Sequence, residues 1–339
     1  MRAVWIARNG GPEVLEVRET PDPTPGPGQV RVRVRAAGLN FAEVLARQGL
    51  YQDAPRPPCV LGYEVAGVVD AAGEGVKDPA PGTRVLSLTR FGGHAEAVCI
   101  PARQAFAMPD AMTFEEGAAL PLNYLTAWHM LFRVAAIRAG ETVLVHMAAG
   151  GVGIAALQLC RTVPGVMVLG TASAAKHDAI RREGCDHPID YRTADWEAEV
   201  RRLTGGRGVD VVLDPLGGRD TGKGYRLLRP AGRLVMFGFA NMLAGSRRSW
   251  VRLAGQALGI PLFNPISLML ANKAVAGVNM GRMWGEVEMM MDAIRAVMEL
   301  YRQGRVRPRV DEVFPFERAA DAHRRIEERR NIGKVLLRP

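Results

Sequence analysis

Cysteine is scarce: Cys59, Cys99, Cys160 and Cys185 are the only four in 339 residues, and they form no CxxC pair or Cys/His cluster. Neither a zinc site nor a disulfide framework is expected from them, and buried free thiols are. Long apolar runs are also missing, since none approaches the roughly 18 residues of a membrane span. The N-terminus, Met-Arg-Ala-Val-Trp-Ile, has no apolar segment ahead of a small-residue cleavage site, so the expected compartment is the cytoplasm. Acidic residues are the scarcer charge, 35 against 44 lysines and arginines, for a net charge of +9. An arginine-rich solvated surface accounts for this excess. No recognition module accompanies it, and no nucleic-acid partner is expected. There is no internal repeat.

What the chain does have is length enough for two domains. Residues 1–122 read as β-rich, with strand spacing at Val4-Trp5-Ile6, Leu15-Glu-Val17, Val30–Val34 and Arg84–Leu88. Pro21–Gly28 is a stiff, turn-rich connector. Thr113-Phe-Glu-Glu116 has capping-box spacing and opens a helix through Ala119, followed by helix over Thr126–Val134. Beyond it, apolar strands at Thr142–His146, Val166–Gly170, Val209–Asp214, Arg233–Gly238 and Ala274–Val278 are predicted, with helices between the first four. That rhythm predicts a parallel sheet wound with crossover helices, an α/β fold. An irregular insertion, 241–271, precedes the last of these strands. Helix Glu286–Gln303, strand Val310–Val313, helix Glu317–Glu328 and strand Lys334–Leu337 complete the chain.

The most informative stretch is Thr142–Leu159. A short apolar strand runs into a chain of small residues and then into an apolar helix. Ala148-x-Gly150-x-x-Gly153 is the dinucleotide fingerprint with alanine at its first glycine. Such a turn lets a diphosphate approach bare backbone and rest on N–H groups at the helix N-terminus. Ala149, Gly150, Gly151, Val152 and Gly153 are the candidate contacts.

Gly38-Leu-Asn-Phe41, Gly49-Leu-Tyr51, Gly62-Tyr-Glu64 and Gly82-Thr-Arg-Val85 resemble landmarks of the medium-chain dehydrogenase/reductase superfamily, in its zinc-free quinone oxidoreductase branch. Val145–Gly153, Leu159–Thr162, Gly170–Ser173, Asp214–Gly218 and Asn331–Val335 are similar to the vesicle amine transport protein homologues within it. The resemblance implies a GroES-like β-rich catalytic domain (residues 1–122 and 279–339) and a Rossmann cofactor domain (residues 123–278). It also implies a homodimer through an edge strand at Ala274–Val278. Zinc-dependent relatives would place a cysteine where Asn40 stands and a histidine where Tyr63 stands, so no metal is expected.

The second strand of a dinucleotide fold ends on an acidic residue when the ribose 2′-hydroxyl is gripped. Here Leu169-Gly-Thr-Ala-Ser173 offers none before Asp178. By resemblance Ser173 and Lys176 bind a 2′-phosphate, with Tyr191 beside it and Thr171 on the same strand. NADPH is expected and NADH stays open. The resemblance further assigns Thr126, Asp214, Leu216, Phe237, Gly238, Phe239, Val278, Asn279 and Asn331 to the cofactor. Each of them is also compatible with a plain turn role.

Hydride transfer without a metal suits a conjugated acceptor: a quinone, an enone or an enoyl-CoA thioester. Asn40 and Tyr51 are the candidates for orienting its carbonyl, with a turn residue and a packed aromatic as their plainer readings. Enoyl reductases of the superfamily often carry a tyrosine proton donor where this chain has Leu45, so solvent protonation is open. His94, His129 and His146 are expected to be structural. Arg247, Arg248 and Arg252 could attract the phosphates of an acyl-CoA. A non-catalytic or moonlighting NADPH-binding protein is the competing class.

Overall fold

The computed structural model describes residues 1–241, 259 and 261–339. Arg247, Arg248 and Arg252 lie outside the described residues. The chain forms two compact units. One comprises Met1–Leu125, Trp284–Arg302 and Arg307–Pro339, and the other Thr126–Met283 with Gln303–Val306.

The second unit is built on a six-stranded parallel sheet. In spatial order its strands are His187–Asp190, Met167–Ala172, Thr142–Val145, Val209–Asp214, Leu228–Met236 and Ala274–Gly277. The order reverses beside the first strand in sequence, the doubly wound pattern whose switch point receives nucleotides at the carboxyl ends of the strands. Leu144, Leu169, Val212 and Leu234 are fully buried in its core, as expected of strands covered on both faces. Ala274–Gly277 lies at one edge, where the sequence placed it.

Four expectations are corrected. His187–Asp190 is a strand that periodicity did not reveal, because Pro188 breaks the pattern and an edge strand tolerates it. The strand placed at Arg233–Gly238 begins at Leu228 and ends at Met236. Part of the insertion is ordinary helix, Pro265–Ala271, capped by the Asn264 side chain, which accepts from the Ile266 N–H. In addition, the helix expected from Thr126 starts at Pro121 and passes into a π-helical turn over His129–Val134.

The first unit is β-rich. Its larger sheet runs Val310–Pro315, Lys334–Arg338, Gln29–Leu39, Glu64–Ala72, Arg84–Leu88 and Phe106–Ala107, with Ala97–Pro101 also paired to Gln29–Leu39. All of these pairs are antiparallel except the first. Two junctions matter for function. Leu39 ends its strand opposite Val335, so residue 40 and residue 334 become neighbours. Asn40 then caps a helix, Phe41–Arg47, which the sequence pattern did not show.

Candidate functional site

The Gly-rich turn is held by its neighbours on the sheet. The His146 N–H donates to the Leu213 carbonyl and the Ala148 N–H to the Thr171 carbonyl, so the backbone is fixed before the helix begins. Thr171 adds its side chain: Oγ1 lies 3.0 Å from His146 Nδ1 and accepts from the Met147 N–H at 3.3 Å. Thr171 thus braces the turn from beneath. Burial holds the His146 imidazole below its usual range, against the pull of Asp214 and Asp220.

Gly150 is the N-cap of helix Gly151–Cys160, and no side chain caps it. The N–H groups of the first turn have no partner inside a helix. Together with the helix dipole they make a seat for a diphosphate. Gly153 is dictated by space, since a Cβ there would stand 2.5 Å from the Met147 carbonyl oxygen and 2.6 Å from that of Ala148. Alanine at position 148 is tolerated for a related reason. The adjoining strand carries Gly170, whose Cβ would come within 2.9 Å of the Ala148 methyl carbon.

The remaining cofactor candidates of this unit mostly follow the carboxyl ends of parallel strands. Ser173 follows Met167–Ala172, Tyr191 follows His187–Asp190, Phe237, Gly238 and Phe239 follow Leu228–Met236, and Val278 and Asn279 follow Ala274–Gly277. Strand direction alone brings them to one edge of the sheet. Ser173 sits at the head of a short 3-10 turn over Ala174–Lys176 without using its hydroxyl as a cap. Asp214 is committed to the fold: one oxygen accepts from the Leu216 and Gly217 N–H groups at 2.7 and 3.3 Å, the other from the Thr221 hydroxyl at 2.6 Å. Its part is to set the loop that presents Leu216. Asn279 accepts from the Gly281 N–H at 2.9 Å. Thr126 is buried. Asn331 belongs to the other unit and donates to the Gly333 carbonyl at 2.8 Å.

In the first unit, a buried polar cluster surrounds Asn40. The Lys334 ammonium donates to Glu64 Oε1 and Asn40 Oδ1, and to Asn123 Oδ1 at 3.5 Å. Glu64 Oε1 also accepts from Asn40 Nδ2 at 3.1 Å, and its Oε2 from the Leu122 N–H at 2.7 Å. Glu43 closes the group, with Oε2 accepting from the Asn40 N–H at 2.8 Å and Oε1 lying 3.4 Å from Asn40 Nδ2. Glu43 and Glu64 are inaccessible to solvent and Lys334 nearly so. Burial raises the Glu43 carboxyl most, Lys334 draws it back and Glu64 raises it again, leaving it at about 7.

Both polar atoms of the Asn40 amide are engaged in this cluster. Tyr51 is half-buried against Ile6, Val14, Ala46, Cys59 and Leu61, with its ring edge-on to Tyr63 at 6.3 Å. His94 is structural, as expected: it is buried with Nε2 3.0 Å from the Gly38 carbonyl, and burial lowers it to about 4. A neutral ring therefore donates that hydrogen bond.

Asn40 and Asn123 already accept from the Lys334 ammonium and Glu64 is paired with it, so these oxygens are engaged without a metal. Among the described residues no group of three or more His, Cys, Asp or Glu could hold a metal. Sequence reasoning quoted Glu64 and Lys334 as landmarks yet missed their pairing, and missed Glu43 and Asn123 altogether. The available signal was a charge of opposite sign leading each of two buried strands, Glu64–Ala72 and Lys334–Arg338.

Comparison with known proteins agrees with this architecture. The alcohol dehydrogenase GroES-like domain matches residues 26–110 and the zinc-binding dehydrogenase family matches residues 183–337. The synaptic vesicle membrane protein VAT-1 homolog of Rattus norvegicus is 49% identical over 341 residues, covering 100% of this chain and 84% of that protein. The chain belongs to the medium-chain dehydrogenase/reductase superfamily and is VAT-1-like. The crystal structure of human VAT-1 homolog-like protein superimposes with a TM-score of 0.87 at 38% identity, covering 100% of this chain and 98% of that one. Escherichia coli quinone oxidoreductase, solved with NADPH, gives 0.88 at 29% identity, with both chains covered in full. The family is one of oxidoreductases. The two units are accordingly a GroES-like domain and a Rossmann-like domain. No helix of the described residues is long and apolar enough to cross a membrane.

Proposed function

We propose that this protein is a zinc-independent, NADPH-dependent reductase of conjugated acceptors. The observation that carries the reading is the turn at Ala148–Gly153, braced by Thr171 and opening an uncapped helix at a switch point of the parallel sheet. When bound, NADPH would supply a hydride. Gly150, Gly151, Val152 and Gly153 would receive its diphosphate through backbone N–H groups, with Ala149 lining the turn. Ser173 and Lys176 would take the 2′-phosphate, with Tyr191 against the same end; NADH would forgo those contacts. Thr126, Leu216, Phe237, Gly238, Phe239, Val278, Asn279 and Asn331 would complete the cofactor contacts, while Thr171 and Asp214 shape the loops.

Tyr51 is proposed to orient the acceptor carbonyl. Asn40, with its amide engaged, supports that side through the cluster it organises. An ammonium buried among amides and carboxylates offers no open coordination position. The acceptor class is therefore one whose reduced form needs only hydrogen bonds, namely a quinone, an enone or an enoyl thioester. The edge strand Ala274–Gly277 is proposed to pair with its own copy in a cytoplasmic homodimer.

The test is steady-state oxidation of NADPH and NADH against a panel of quinones, enones and enoyl-CoAs, with and without a chelator. Turnover that prefers NADPH and ignores the chelator supports the reading. Tight NADPH binding without turnover on any acceptor favours the non-catalytic alternative.

A further inference from the structure

A strained residue opens the nucleotide turn. Met147 sits at φ +51, in the left-handed region that residues other than glycine seldom enter. Its conformation lets strand Thr142–Val145 turn back into helix Gly151–Cys160. The Met147 carbonyl accepts from the Gly150 N–H at 2.8 Å, and a Cβ on Gly153 would stand 2.5 Å from the same oxygen. That oxygen is boxed in by the turn it closes. Glycine would take this φ without cost, whereas methionine needs surroundings that hold it there.

Those surroundings all belong to the second unit. Thr171 Oγ1 accepts from the Met147 N–H at 3.3 Å, and His146 Nδ1 lies 3.0 Å from the same oxygen. With the amide donating to Oγ1, the hydroxyl hydrogen goes to Nδ1, which makes Nδ1 the acceptor and leaves the ring hydrogen on Nε2. Nε2 is buried and has no nitrogen or oxygen partner among the described residues. A buried N–H in that position is costly, and an aromatic ring is the acceptor left to it. Trp196, the first residue of helix Trp196–Leu203, meets the imidazole edge-on, with ring centroids 4.5 Å apart and planes at 79°. His146, Thr171 and Trp196 are all buried, so water does not compete for these contacts.

We propose, resting on the nucleotide-binding reading above, that Thr171, His146 and Trp196 form a brace that keeps Met147 left-handed. The diphosphate seat is thereby formed before any cofactor arrives, and binding does not have to supply its shape. Thr171 and His146 act through Met147, as positioning residues. Trp196 in turn satisfies His146. The diphosphate is common to NADPH and NADH, so the brace serves both nucleotides alike, which sets it apart from the preference assigned to Ser173 and Lys176.

Two measurements on the full chain test the brace, and the first needs no nucleotide. Nitrogen NMR at neutral pH should show the His146 ring neutral and protonated on Nε2. Thr171→Val loses the hydroxyl, and His146→Phe keeps a ring but loses Nδ1. Each should speed hydrogen exchange of the Gly150 amide by about tenfold, the scale of the left-handed penalty released. His146→Asn, whose Oδ1 can stand in for Nδ1, should stay nearer the wild type. The second measurement is calorimetry with both nucleotides. Thr171→Val should raise the Kd for NADPH and for NADH by the same factor of about ten. Met147→Gly in the same chain should bring both back to within about threefold of the wild type, because glycine needs no brace at this φ. If Thr171→Val alone does not fold, Met147→Gly should restore folding. A ring protonated on Nδ1, an unchanged Gly150 amide in both single variants, or a double variant no better than Thr171→Val overturns the brace. A wild type that binds neither nucleotide overturns the cofactor reading, and the exchange measurement then decides the brace by itself.

Discussion

Replacing Lys334 with methionine should be among the most damaging single changes in the first unit. The side chain is 2% exposed and its partner Glu64 is 0% exposed. Truncating one member of such a pair leaves a buried carboxylate without its cation, a loss of about 3–5 kcal/mol. An exposed ion pair would cost at most about 1 kcal/mol. Two features make the higher figure appropriate. Asn40 Oδ1 and Asn123 Oδ1 lose their donor in the same step, and Glu43 loses the one charge that favours its ionised form. Against a typical stability of about 5–15 kcal/mol, the loss approaches global unfolding. Urea unfolding at neutral pH measures the loss. Glu64→Gln combined with Lys334→Met removes the charges together and should be more stable than Lys334→Met alone. A single-variant loss below about 1 kcal/mol, or a double variant no better than the single, would refute charge compensation as the basis of the cluster.

Four further outcomes are expected. Gly153→Ala drives a methyl into the Met147 and Ala148 carbonyl oxygens, and an overpacking cost of about 1–3 kcal/mol should weaken NADPH binding by about 10- to 100-fold in calorimetry; unchanged affinity would contradict the seat. Ser173→Ala and Lys176→Ala should each raise the Kd for NADPH about tenfold or more while leaving NADH alone, since each removes a charge-assisted contact of about 1.5–3 kcal/mol; equal effects on both cofactors would exclude a 2′-phosphate site there. Glu43, folded at about 7 against an ordinary 4.5, makes the native chain bind more protons than the unfolded one between those values. Its contribution to stability therefore falls as pH rises through that window, by about 3 kcal/mol, and the difference between wild type and Glu43→Gln in unfolding free energy should trace that fall; a flat difference would mean that Glu43 is not raised. Gly170→Ala should lower the melting temperature by pressing on Ala148 and the Cys185 sulfur, and Ala148→Gly in the same chain should recover part of the loss, which a strictly additive pair would deny.

The two halves of the chemistry differed in how far the sequence displayed them, and the difference is one of distance along the chain. The turn at 148–153 is local. Strand, small residues and helix follow one another, so periodicity and spacing sufficed, and strand direction then carried Ser173, Leu216, Phe237 and Val278 to the same sheet edge. Even the irregular alanine at 148 has its explanation one strand away, at Gly170. The polar cluster joins residues 40, 43, 64, 123 and 334, and only the pairing of Lys334–Arg338 with Gln29–Leu39 brings its ends together. Asn40 stood out as a candidate for orienting a carbonyl, with a turn role as its plainer reading, yet nothing near it in sequence announces that its amide will meet a lysine 294 residues away. Charge patterning offered a partial guide. Glu64 and Lys334 each open a mostly apolar strand, and a charge that cannot reach solvent must find its opposite. Counting those charges, two carboxyls to one ammonium, shows why burial raises the Glu43 carboxyl even with Lys334 drawing it back.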